Sequence, residues 1–119
     1  MKHALLLLSL LLSLNAGAGK VDIIAVESVQ TSPDVYRFDV TLRHADTGWD
    51  HYADGWEVMT VEGKPLAERI LYHPHVNEQP FTRSLSGVRI PPGETEVIIR
   101  ARDKVHGHTQ GRFPLDSSD

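Results

Sequence analysis

Turn signals cut this chain into short segments, and the segments alternate. Ser32-Pro33-Asp34, Glu62-Gly63-Lys64-Pro65 and Pro91-Pro92-Gly93-Glu94 recur along it. Pro, Gly and Asp are residues that stop a regular element and reverse the backbone. The cleanest segment is 35–44. Tyr36, Phe38, Val40 and Leu42 fall on one face, and Arg37, Asp39, Thr41 and Arg43 on the other. A repeat of two is the side-chain period of a half-buried strand. His44 continues the apolar phase and reads as a hydrogen-bonded boundary residue.

Strands are expected at 21–29, 35–44, 56–61, 66–73, 81–90, 95–103 and 110–115. Gly87 marks a bulge where the alternation of the fifth strand slips. Val97, Ile99 and Ala101 are the buried face of the sixth. Trp56, opening the third strand, is the expected core tryptophan. Seven antiparallel strands over about 100 residues match the all-β immunoglobulin or fibronectin III plan. An amphipathic helix over 65–72 is the weaker alternative, because Pro74 would end it after about two turns. A sandwich with a different strand order is the stronger rival.

The ends carry their own signals. Lys2, the apolar run from Leu5 to Leu14 and Ala16-Gly17-Ala18 read as a secretory signal peptide over 1–18. The run is too short for a membrane span, and an uncleaved anchor is the alternative. The domain is then 19–115, followed by a polar tail over 116–119, in a periplasmic or secreted protein with no membrane span in its mature part. The chain has no cysteine, which rules out a disulfide, a thiolate ligand and a lipid carried on a cleavage-site cysteine. Stability must come from an apolar core. The formal charge is −4, one unit more negative without Lys2, and basic and acidic residues are well mixed. No nucleic-acid footprint is present.

The histidines stand out against this frame. Apart from His3, they fall in three segments: His44 and His51, His73 and His75, His106 and His108. In the immunoglobulin plan the loops after the second, fourth and sixth strands share one pole, and the opposite loops here hold no histidine. His73-Pro74-His75 and His106-Gly107-His108 are both His-x-His, which in an extended chain points two imidazoles to one side. Asp46, Asp50, Asp54, Glu78 and Asp103 lie nearby in sequence, able to ligate or to orient imidazoles. The expected ligands are His73, His75, His106 and His108, with His51 or Asp103 completing the shell. Nitrogen and oxygen donors suit Cu(II) or Zn(II). The plainer reading is that these histidines only cap strands and bond to neighbours.

Other groups gather at the same pole. Trp49 and Tyr52 are candidate anchors for a protein or glycan partner. Arg83 shares the phase of Phe81 and Leu85 and needs a carboxylate, with Glu78, Asp54 or Asp103 in reach. No nucleophile elbow, His-Glu-x-x-His motif or catalytic cysteine occurs. Ser84, His75 and Asp54 make a triad only on paper.

The strand layout and the stretch 73–93 resemble small exported bacterial β-sandwich proteins of unknown function. That resemblance implies a fold and no activity. Periplasmic copper carriers that use an N-terminal histidine or several methionines differ, since the mature start would be Gly19-Lys20-Val21 and Met59 is the mature chain's only methionine. The expectation is a non-enzymatic metal carrier or sensor. The alternative is a protein- or glycan-binding module using the same loops.

Overall fold

A computed structural model describes residues 20–116. The expected signal peptide and residues 117–119 of the tail lie outside them. Seven strands follow one another: β1 (Asp22–Ser32), β2 (Val35–Arg43), β3 (Ala53–Met59), β4 (Pro65–Ile70), β5 (Phe81–Arg89), β6 (Glu96–Asp103) and β7 (Gly107–Pro114). There is no helix among the described residues. The strands form a three-stranded sheet of order β1-β2-β5 and a four-stranded sheet of order β4-β3-β6-β7. All pairings are antiparallel. The chain is an all-β sandwich, as its alternation leads one to expect.

The core forms where the inward phases of the two sheets meet. Phe38, Val40 and Leu42 of β2 oppose Trp56 and Val58 of β3 and Val97, Ile99 and Ala101 of β6, all of them buried. Apolar burial of this kind is the main favourable term in folding, and emptying such a position typically costs about 2–5 kcal/mol. Gly87 is at a bulge: the register passes from Tyr36↔Val88 to Phe38↔Leu85, and Gly87 has φ +72°. The sandwich closes at its C-terminal end where the Asp116 amide donates to Ser28 Oγ at 2.9 Å.

Several boundaries differ from expectation. β3 begins at Ala53 rather than Trp56, because Ala53 and Gly55 pair with Asp103 and Arg102 of β6. Asp54 and Gly55 look like turn residues in sequence, yet they stand inside a ladder. β4 ends at Ile70, which assigns His73 to the loop. β7 begins at Gly107, so His108 is a strand residue opposite Arg102 rather than a loop residue. The β2–β3, β4–β5 and β6–β7 loops nevertheless meet at one pole. The Leu71 amide donates to Asp54 O, and the Lys104 amide to Tyr52 O.

Candidate metal centre

Two buried polar residues lie at the pole end of two apolar rows. On β6 the inward phase runs Val97, Ile99, Ala101, Asp103. On β2 it runs Tyr36, Phe38, Val40, Leu42 and continues to His44. β2 and β6 belong to opposite sheets, so the next residue in each row meets the other across the sandwich. His44 Nε2 lies 2.9 Å from Asp103 Oδ2, with both side chains fully buried.

The β6–β7 hairpin fixes Asp103 locally. Its Oδ1 accepts the amides of Val105, at 3.0 Å, and of His106. An aspartate opening a turn commonly bonds the backbone just ahead of it. Gly107 closes the turn at φ +86°, a conformation that costs a glycine least. The tight turn swings His106 back so that its Nδ1 lies 3.1 Å from Asp103 Oδ2. His51 is carried by the β2–β3 loop, where its amide donates to Gly48 O. Its Nε2 reaches the same Asp103 Oδ2 at 3.1 Å and His106 Nδ1 at 3.1 Å. Three imidazole nitrogens from three segments thus converge on one carboxylate oxygen. His44, His51 and Asp103 form a group able to hold a metal ion.

Asp46 sits behind this group. Its Oδ1 is 2.5 Å from His44 Nδ1 and accepts the Ala53 amide at 3.2 Å. Its Oδ2 accepts the His75 amide at 2.7 Å. His44 faces Asp46 with Nδ1, and its Nε2 is aimed at the centre. Carboxylates that hold a histidine by one nitrogen while the other faces a metal are the usual outer partners of metal sites.

The arrangement has a charge consequence. Burial acts to raise the Asp103 proton affinity, but the bonds from the His106 amide and from the rings of His106, His51 and His44 outweigh it and hold the carboxyl well below its ordinary range. Asp103 is therefore an anion, 2.9 Å from His44 Nε2. Both ring nitrogens of His44 face carboxylate oxygens, Nδ1 that of Asp46 and Nε2 that of Asp103.

The other expected ligands are placed differently. His75 is buried, stacked on Phe81 with ring centroids 4.0 Å apart and planes at 10°. Neither of its ring nitrogens has a hydrogen-bond partner. Burial lowers its proton affinity, helped by the charges of Arg83 and His73. His73 is exposed beside it, at a ring distance of 5.1 Å. His108 is exposed on β7. Neither His-x-His stretch is a regular strand across both residues, so strand geometry does not point the two rings of either to one side. Gly107 has positive φ, and the 73–75 segment lies in a loop whose first histidine faces solvent while the other faces the core. His106, His51 and Asp103 of the expected set come together. His44, read as a boundary residue, is the member placed last by sequence; its inward phase and the aspartate two residues on were the available signals.

Arg83 pairs with Glu78 at 3.1 Å and lies over the Phe81 ring at 5.6 Å. Asp54 pairs with Arg102. Asp50 is exposed. Trp49 is 64% exposed, whereas Tyr52 is buried at 8%, and the two rings meet edge to face at 5.8 Å.

Comparison with known proteins adds one relative. A protein of Halomicrobium mukohataei named "Putative lipoprotein" is 46% identical over 80 residues, which cover 67% of this chain and 39% of that protein. The chain therefore spans well under half of that relative's length. No protein-family profile matches the chain, and no solved structure does.

Proposed function

We propose that this domain binds a divalent transition metal, Zn(II) or Cu(II), through His44, His51, His106 and Asp103, and that it serves an exported protein as a carrier or sensor rather than as an enzyme. The observation that carries the reading is the convergence of three imidazole nitrogens, at 2.9–3.1 Å, on Asp103 Oδ2. In a tetrahedral site with bonds of about 2.0–2.1 Å, neighbouring ligand atoms stand roughly 3.3 Å apart. The three contacts to Asp103 Oδ2 and the His51–His106 contact are close to that edge, and the ligand atoms of His44, His51 and Asp103 all lie within 4.8 Å of one another. A divalent cation would also offset the two buried carboxylates, which are otherwise costly to desolvate.

The character of the donors supports the choice of metal. Imidazole with one carboxylate suits zinc and copper, while hard cations prefer oxygen-only shells. Export is supported by the leader-like first 18 residues and by the lipoprotein name of the Halomicrobium relative. The sandwich is read as immunoglobulin- or fibronectin III-like, with β4 placed beside β3 rather than in the sheet of β1, β2 and β5.

The test is calorimetric titration of the metal-stripped chain, lacking residues 1–18, with Zn(II) and Cu(II) at pH 7.5 and 5.5. One-to-one binding that weakens at the lower pH is expected, because imidazole ligates only when neutral. Absence of binding by either ion at pH 7.5 would overturn the reading.

A further inference from the structure

A second feature of the pole is independent of the metal centre. Trp49, His73, His75, Asn77, Glu78 and Arg83 surround an open hollow of about 580 Å³. Its floor is the His75 ring, buried on Phe81 with neither nitrogen hydrogen-bonded. Its wall is Trp49, an exposed indole whose edge is braced by Tyr52. Tyr52 is in turn buried and capped by Lys104 Nζ, 5.5 Å from its ring centre. The indole face is thus held in place and open to solvent.

The polar groups of the hollow are already balanced. Arg83 Nη2 is 3.1 Å from Glu78 Oε1, and Arg83 Nη1 also donates to Thr82 O at 2.7 Å. A free anion would have to displace Glu78 from Arg83. His75 adds no positive charge, since burial and the charge of Arg83 disfavour its protonation. What the hollow offers is one apolar face and a rim of fixed donors and acceptors. That surface complements a molecule with one C–H face and an edge of hydroxyls. Ligand sites commonly join apolar walls to a few fixed polar groups in this way, and an amphipathic ring such as indole suits a surface that is part apolar and part wet.

We infer that this hollow binds an uncharged saccharide, with Trp49 stacking on the sugar face and the Glu78–Arg83 pair bonding its hydroxyls. The site uses none of the proposed metal ligands, so it stands or falls separately from the metal reading.

The experiment is a titration of the chain lacking residues 1–18, with and without Zn(II), against cellotriose, maltotriose and tri-N-acetylchitotriose. Tryptophan emission and amide chemical shifts of the β4–β5 loop report binding. At least one sugar is expected to give a saturable change, centred on residues 73–83. Trp49→Ala and Glu78→Gln should each weaken it by about tenfold or more, an amount that corresponds to one lost specific contact, while circular dichroism stays unchanged. A His51→Ala chain should bind the sugar as the parent does. No saturable response to any of the three sugars would overturn the inference. So would binding that Trp49→Ala leaves intact, or a response confined to acidic oligosaccharides such as trigalacturonate.

Discussion

The two histidine groups at this pole share a surface but differ in how their nitrogens are used. In the first, every ring is tied to a carboxylate: His44 to Asp46 and Asp103, His51 and His106 to Asp103. In the second, neither ring nitrogen of His75 is hydrogen-bonded, Nδ1 standing 4.0 Å from Asp46 Oδ2 while the ring rests on Phe81, and His73 beside it is exposed. Asp46 and Gln79 touch both: Asp46 faces His44 Nδ1 and accepts the His75 amide, while Gln79 accepts the His44 amide through Oε1 and donates through Nε2 to His75 O. A buried imidazole becomes a ligand candidate when a carboxylate orients it. Without one it behaves as a flat ring with a polar edge. Burial alone does not separate the two cases; the direction of the nitrogens does.

The sharpest way to break the contrast is at Asp103. Asp103→Ala removes the acceptor of three rings and two amides. Loss of one member of a buried charged network costs about 3–5 kcal/mol, and metal binding should vanish in the same chain. Urea unfolding and metal titration together check this; retained Zn(II) affinity would move the centre elsewhere. Asp46→Asn should have a smaller effect. Altered outer partners of metal-bound histidines lower affinity by about 10–100-fold. Exchanging a charged acceptor of the Ala53 and His75 amides for an amide group should cost about 1–3 kcal/mol of stability.

Acidification separates the two groups by pH window. His75 has a lowered proton affinity in the folded chain, so the unfolded chain binds the proton more readily. Its contribution is intact above the ordinary value of 6.5 and is lost as pH falls below it. On metal-free protein, the stability of the parent relative to a His75→Phe chain should therefore fall between pH 7 and 5. Asp103 acts in a lower window. Its depressed affinity stabilises the fold above the ordinary carboxylate value of 3.8, and that stabilisation is lost on further acidification. Identical profiles for parent and His75→Phe between pH 7 and 5 would remove His75 from the account.

The smallest effect is expected at His108. It is exposed on β7, and His108→Ala should change stability by no more than about 0.5 kcal/mol and leave Zn(II) affinity within about twofold. A large loss of affinity would restore the His106-Gly107-His108 pair as a unit. Together with an unchanged Asp103→Ala chain, that result would reverse the order of the two histidine groups.

Much of the architecture was legible from residue order. Strand phases at Tyr36–Phe38–Val40–Leu42 and Val97–Ile99–Ala101 mark the core face, because a strand exposes alternate residues to opposite sides. The bulge at Gly87 and the core position of Trp56 also follow from alternation and turn chemistry, while the gathering of histidine loops at one pole follows only once the sandwich strand order is assumed. Asp103 and His106 were within reach for the same reason. His108 was not, since its place depends on where the ladder with β6 begins.

The chain by itself determined an all-β class, which faces are buried and where the turns fall. Those are consequences of side-chain period and turn propensity, both local properties. Which histidines meet was decided only by tertiary structure. His44 and Asp103 lie 59 positions apart and become neighbours because two sheets pack face to face and bring the ends of two inward rows together. No local rule encodes the offset between facing sheets. The same packing buries His75 against Phe81 and leaves His73 exposed, although one His-x-His spacing holds both.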